Sequence, residues 1–356
     1  MKILHSADWH LGSPLQGRTE AQAELLKDAL LSVPDQITAL CRQEQCDLML
    51  LSGDLFDGEC SADTVRAVQT ALEDAGVPVF IAPGNHDYIG IDSPYNSDTW
   101  PENVYIFHQN RITSVPLPDL DCRIYGAAFT SQDCDGILEG FTAAGKEKYQ
   151  IGVFHGDPTQ IGSPYCPITQ PQVMTSGLIY LALGHIHKGG SFTAGDTLCA
   201  WPGCPAGRGF DELGEKGVYI VTLEETAEIR FVPLDSPRFF DRELTVTGTP
   251  EQTVAAALPP VGSNDFYRFT LTGESEKPDL PYLQARFSRF PNLELRDRTV
   301  LPTDPWASVG EDSFEGAYFT QLQSMLDGCD ENTRRQILLA AKISRQILDG
   351  QEVVLP

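Results

Sequence analysis

Positive charge is scarce in this chain. Its 356 residues hold 25 Lys and Arg against 50 Asp and Glu, a formal net charge of −25. Unaided, sequence-independent coating of nucleic acid is thereby excluded, because that mode of binding rests on Lys and Arg neutralising phosphates. A nucleic-acid substrate would need local positive charge or a partner to hold it. Long apolar runs are missing too: nothing approaches the roughly 18 uninterrupted apolar residues of a membrane-spanning helix. The apolar run that starts at Ile3 is too short for a signal-peptide core. The 9 cysteines are an odd number without a CxxC pair, and their spacing fits no zinc finger. They are expected to be reduced thiols of a cytoplasmic protein. Internal repeats and low-complexity tracts are absent as well.

What is present alternates. Short apolar runs at 3–7, 48–52, 77–82, 124–128, 151–155, 179–183, 217–223 and 229–233 read as strands. A helical pattern over 20–45, with a break or kink expected at Pro34, and another over 62–75 lie between the first of them. Alternating strands and helices imply a layered α/β fold with its site at the strand ends. The pattern changes after 236. Residues 238–300 read β-α-β-α-β, a small α/β domain of their own, and 314–326 and 331–348 read as two C-terminal helices. The division expected is therefore 1–236, 238–300 and 313–350.

Histidine is rare at 7 residues, yet five of them sit in a series of fragments that follow the candidate strands. The fragments are Asp8-Trp9-His10, Gly53-Asp54, Gly84-Asn85-His86-Asp87, His155-Gly156-Asp157 and Gly184-His185-Ile186-His187. On an extended chain, ligands at i and i+2 face one side, so Asp8 with His10 and His185 with His187 could each face one ion. Gly53 would let the backbone approach a crowded centre. A carboxylate such as Asp54 can bridge two cations, which an imidazole cannot. Mixed N and O donors suit Mn²⁺, Fe²⁺ or Zn²⁺ better than Ca²⁺. Trp9 is expected to pack, and His5 and His108 to be hydrogen-bonded residues outside the site.

In this order the fragments resemble the calcineurin-like metallophosphoesterase superfamily, whose motifs run D-x-H, GD, GNHD, H and GHxH. The resemblance implies a β-sandwich flanked by helices and a pair of divalent ions. One ion would be held by Asp8, His10, Asp54 and His187, the other by Asp54, Asn85, His155 and His185. Such a pair, about 4 Å apart, activates water and clamps a phosphodiester. His86 is left for the leaving oxygen, with Asp87 expected to orient it. The flanks Ile3 to Gly12, Gly53-Asp54-Leu55-Phe56-Asp57, Pro202-Gly203-Cys204-Pro205 and Gly209-Phe210-Asp211-Glu212 resemble the bacterial SbcD family of DNA repair exonucleases, including its YhaO-type members. That likeness implies Mn²⁺, a DNA substrate, a capping domain that helps orient DNA, terminal helices that bind an SbcC-like coiled-coil ATPase, and homodimers. Arg208, beside the last motif, is expected in a structural salt bridge. Two other readings stay open: a phosphodiesterase of small or cyclic nucleotides, and an interaction subunit whose metal site mainly holds the fold.

Overall fold

Neighbouring residues of β1 (Lys2–Ser6) bury on opposite faces, and that alternation sets the layers of the structure. The structure is a computed structural model whose described residues are 1–57, 60–97, 99–302, 304–350 and 353. The chain divides into two compact units, Met1–Phe240 and Asp241–Pro356.

The first unit continues through α1 (Glu20–Gln43), β2 (Leu48–Leu51), α2 (Ala62–Asp74), β3 (Val79–Ile81), β4 (Val104–Ile106), β5 (Thr113–Leu117), β6 (Cys122–Gly126) and β7 (Tyr149–His155). Then follow α3 (Gln170–Thr175), β8 (Tyr180–Gly184), β9 (Lys188–Ala194), β10 (Thr197–Gly203), β11 (Gly217–Leu223) and β12 (Ala227–Pro233). One sheet runs β12-β11-β1-β2-β3-β4, the other β5-β6-β7-β8-β10-β9. Ile3, Leu48, Leu50 and Phe80 meet Ile124, Ile151, Val153 and Tyr180 between the sheets. Leu4, Met49, Leu51 and Val79 face the other way, onto Leu30, Val33 and Ile37 of α1 and Val68 and Leu72 of α2. On the far side of the second sheet, Phe154, Leu181 and Leu183 pack with Val173 of α3. Two sheets face to face with helices outside make the expected layered α/β sandwich. Strands β1, β2, β3, β7 and β8 are buried on both faces, hence their continuous apolar runs.

Two expectations change. The first helix runs unbroken through Pro34, itself buried. The proline forfeits one backbone bond, and the buried Leu30, Val33, Ile37 and Cys41 around it hold the helix against the sheet. Strands β4, β5, β9 and β10 did not show in the sequence. Three of them, β4, β5 and β9, are sheet edges, and β5 and β9 carry Pro or Gly, which sheet edges tolerate; β10 lies inside its sheet and ends in Pro202-Gly203.

The second unit starts within β13 (Phe239–Thr245) and continues with α4 (Pro250–Ala257), β14 (Phe266–Thr272), α5 (Leu280–Arg286) and β15 (Leu293–Asp297). Its sheet runs β13-β14-β15, with β14 and β15 parallel. Helices α6 (Phe314–Ser324) and α7 (Glu331–Leu348) pack together: the Arg345 guanidinium lies 4.3 Å over the Phe319 ring and 3.0 Å from Glu315. All nine cysteines are free thiols. No helix among the described residues is long and apolar enough to cross a membrane.

Candidate metal centre

Every fragment of the histidine series lies at or just beyond the end of a strand of the first unit. Asp8 and His10 follow β1, Asp54 follows β2, Asn85 and His86 follow β3, His155 ends β7, and His185 and His187 span the turn from β8 to β9. Ligand atoms of Asp8, His10 and His187 lie within 4.8 Å of one another, as do those of Asp8, Asp54 and His155, and of His10, Asp54 and His86. Asn85 joins through its Oδ1, 3.0 Å from His155 Nε2. The His185 ring sits 5.3 Å from that of His155, and its backbone N–H donates to Asp8 Oδ1 at 2.9 Å. All seven sequence-read ligand residues and His86 are therefore neighbours.

The expected reason for the pairing of Asp8 with His10 needs correcting. Neither lies on extended backbone: their φ values are 56° and 50°. Asp54 and His185, at 52° and 89°, share this left-handed conformation, so four of the seven non-glycine residues with positive φ among the described residues belong to the site. Such backbone costs on the order of 1–3 kcal/mol per residue and survives where surrounding structure dictates it. Left-handed turns, not strand alternation, aim these side chains inward. At Gly53 (φ 85°) a Cβ would stand 2.7 Å from both the Ala82 carbonyl oxygen and His155 Nδ1, so the close approach needs glycine.

The electrostatics ask for positive charge. Burial pushes His155 down, but Asp54, whose carboxylate lies 3.3 Å away, and Asp8 more than reverse this and lift it to about 9. Burial also works against an ionised Asp54, yet His155, His10 and His86 hold its carboxyl below the usual range. His185 goes the other way, to about 4, through burial and repulsion from His155. Two buried atoms, Asp8 Oδ2 and His10 Nδ1, have no hydrogen-bond partner. His10 Nε2 and His187 Nε2 face each other at 3.0 Å, a pair in which one ring donates and the other accepts. Unpaired buried acceptors are costly. Among mixed imidazole and carboxylate donors, divalent cations satisfy them, so the residues fit a metal centre.

The role expected of Asp87 is overturned. Its carboxylate makes no bond to the His86 ring. Instead it accepts from the backbone N–H groups of Gly84 (2.7 Å), Leu55 (2.7 Å), Asp54 (3.2 Å) and Phe56 (3.3 Å), and from the Tyr95 hydroxyl (2.6 Å). Burial and the charge of Asp54 push it upward against the pull of Tyr95 and Gly84. Asp87 thus clamps the Asp54 loop to the Asn85 loop. Asp87→Asn puts an amide where an oxygen must accept, and should lower stability by about 1–3 kcal/mol, seen as a fall in the thermal midpoint. An unchanged midpoint would remove the clamp.

Asp57 takes the place expected for Asp87. Its Oδ1 lies 2.9 Å from His86 Nδ1, and the His10 and His86 rings hold its carboxyl far below the usual range. His86 is raised in turn, chiefly by Asp57, and its side chain is 43% exposed where Asp8, His10, Asp54 and His155 are buried. Glu212 was also missed. Its buried carboxylate accepts from His187 Nδ1 at 2.8 Å and pairs with Arg208, the salt bridge expected of that arginine. Both acids stand inside motifs already visible in the sequence, but nothing there says that they meet histidines. His5 is buried against the Tyr180 and Ser52 hydroxyls and the Leu183 carbonyl, His108 binds the Ile106 carbonyl, and the Trp9 indole packs fully buried, donating to Ser6.

Residues 1–189 match the calcineurin-like phosphoesterase family. The chain belongs to that family. Its members hydrolyse phosphoesters with a pair of divalent ions, the chemistry that the donor set here suits. The uncharacterised metallophosphoesterase YhaO of Bacillus subtilis is 32% identical over 244 residues, 62% of this chain. That match spans only 57% of the Bacillus protein's length. The SbcD component of the nuclease SbcCD from Staphylococcus epidermidis is 23% identical over 332 residues, 82% of this chain and 84% of that one. A dimetal phosphatase from Danio rerio superimposes with a TM-score of 0.44 at 14% identity, covering 65% of this chain and 96% of that one.

Proposed function

We propose that this phosphoesterase is a DNA nuclease subunit of the SbcD type, working with an SbcC-like coiled-coil ATPase in the cytoplasm. The observation that carries the catalytic part is the pair of overlapping clusters, Asp8 with His10 and His187 and Asp8 with Asp54 and His155, each with its ligand atoms within 4.8 Å, with Asp8 Oδ2 buried and without a hydrogen-bond partner. Asp8, His10, Asp54 and His187 would hold one ion, and Asp54, Asn85, His155 and His185 the other. Mn²⁺ is the ion we favour over Fe²⁺ and Zn²⁺. When bound, the pair supplies an activated water and neutralises charge on the phosphate.

The chain's own residues do the rest. His86 stands beside His10, ring centroids 4.8 Å apart, and is the most exposed imidazole of the site. With Nδ1 tied to Asp57, its Nε2 is free to donate to the leaving oxygen. Asp57 is the positioning residue, and Asp87 keeps the two loops in register. The DNA part of the reading rests on the relatives named as the SbcD component of SbcCD nucleases and on the flanking motifs. In this reading the second unit would be the cap that helps orient DNA, and its helices α6 and α7 the docking site for the partner. Phe314, Met325, Leu338, Ile347 and Leu348 offer exposed apolar side chains on and beside α6 and α7.

The charge balance favours a second reading, a phosphodiesterase of small nucleotides. One assay separates the two. Rates on linear DNA, cyclic nucleotides and bis-p-nitrophenyl phosphate are compared with Mn²⁺ and with EDTA, with and without an SbcC-like coiled-coil ATPase. DNA degradation that needs Mn²⁺ and rises with the ATPase is the expected result. Turnover of cyclic nucleotides with DNA untouched would overturn the nuclease reading.

A further inference from the structure

The segment between β10 and β11 holds one cation that touches both halves of the candidate centre. Arg208 places Nη2 2.6 Å from Glu212 Oε1, and its backbone N–H donates to Glu212 Oε2 at 2.7 Å. Glu212 is only 3% exposed, and its Oε1 also accepts from His187 Nδ1 at 2.8 Å. That bond leaves His187 Nε2 facing His10. The other branch of the same guanidinium reaches the opposite side. Arg208 Nη1 lies 3.8 Å from Asp57 Oδ2 and 3.3 Å from Ser13 Oγ, and Asp57 in turn holds His86. Ser13 is anchored to the His10 carbonyl through its own backbone N–H at 3.0 Å. Two carboxylates that hold two different histidines thus share one planar, forked cation, a geometry that arginine meets and lysine does not.

We infer that Arg208 is a positioning residue that couples the two sides of the centre, fixing His187 through Glu212 and His86 through Asp57. This rests on the metal-centre reading proposed above. Without the guanidinium, Glu212 keeps the residue-208 backbone N–H and the His187 imidazole but becomes a buried carboxylate without its counter-charge, which is strongly unfavourable. His187, which Nη2 also touches at 3.2 Å, is then held less firmly, and Asp57 loses a counter-charge 3.8 Å away. Carboxylate partners of ligand histidines typically change metal affinity by about 10- to 100-fold.

The test is a Mn²⁺ titration of the metal-free full chain by calorimetry, with turnover of bis-p-nitrophenyl phosphate at saturating Mn²⁺ as a second readout. Glu212→Ala should weaken Mn²⁺ binding by about 10- to 100-fold. Asp57→Asn should act on turnover. Arg208→Ala should do both, and adding Glu212→Ala to it should weaken binding no further than Glu212→Ala alone. If an alanine variant fails to fold, Arg208→Gln and Glu212→Gln give the same readouts. An Arg208→Ala protein that binds Mn²⁺ within twofold of wild type overturns the coupling, and so do losses that multiply in the double variant. The two readings fail differently. Wild-type protein that takes up no Mn²⁺ ends the metal-centre proposal. Wild type and Arg208→Ala binding equally well ends only this one.

Discussion

Asp54→Ala should slow phosphodiester hydrolysis by about 10³-fold or more, a loss of roughly 4 kcal/mol of transition-state stabilisation. The Asp54 side chain touches members of the centre on both sides. Its Oδ2 lies 3.3 Å from His155 Nε2 and 3.9 Å from His10 Nε2, and its Oδ1 accepts the His86 backbone N–H at 2.9 Å. It is 1% exposed and held in left-handed backbone, so the fold keeps an ionised carboxylate where water cannot solvate it. Cations compensate such a group, and with Asp8 it stands between the His10 and His155 sides. The measurement is turnover on DNA and on bis-p-nitrophenyl phosphate, paired with thermal melting. Wild-type protein should melt higher when Mn²⁺ is added, because an ion that binds only the folded state stabilises it. The variant should melt at one temperature with or without Mn²⁺. Activity within tenfold of wild type would end the role of Asp54 as the shared ligand.

How far the site could be read from the sequence has a physical explanation. Asp8, His10, Asp54, Asn85, His86, His155, His185 and His187 were visible because buried strands end in these polar residues, and strands buried on both faces write continuous apolar runs. The layered α/β arrangement followed from the same runs, and the sandwich from the family resemblance of the fragments. Asp57 and Glu212 were not visible in their roles. A carboxylate that orients an imidazole needs no particular spacing from it: Asp57 and His86 are 29 residues apart, Glu212 and His187 25. The misassignment of Asp87 has the same origin. Adjacency in Gly84-Asn85-His86-Asp87 suggested contact, whereas the tight loop turns the aspartate back onto the amides of Gly84, Asp54, Leu55 and Phe56. The left-handed φ of Asp8 and His10 was hidden too, since such a turn is imposed by the packing around it.

The net charge of −25 sets the remaining requirement. At the centre, two dications against Asp8 and Asp54 leave local positive charge for a phosphate, which serves a small anion and a DNA strand equally. A long polyanion must also be held elsewhere. Among the arginines of the second unit, Arg268, Arg286 and Arg296 are engaged by Asp241, Glu251 and Glu294, so their charge is already spoken for. That arithmetic is the physical case for a partner that brings the DNA, and it predicts steep salt dependence for the complex rather than for the chain alone.

His86→Ala should lose about 10²- to 10⁴-fold in turnover, the usual contribution of a positioned proton donor. Binding of Mn²⁺ should survive, because the His86 backbone, not its ring, is what bonds Asp54, and alanine keeps that N–H. The split is diagnostic: a ligand variant loses metal and turnover together, whereas a donor variant loses turnover alone. Asp57→Asn should lose turnover more mildly, by about 10- to 100-fold, and because its carboxylate also lies 3.7 Å from His10 Nδ1 it should weaken Mn²⁺ binding as well. A substrate with a good leaving group needs little protonation of the leaving oxygen. The His86→Ala deficit should therefore shrink on bis-p-nitrophenyl phosphate and stand in full on DNA, whose alkoxide leaving group needs the proton. Equal deficits on both substrates would assign His86 to stabilising the phosphate rather than to the leaving oxygen, and turnover unchanged on DNA would remove it from the chemistry.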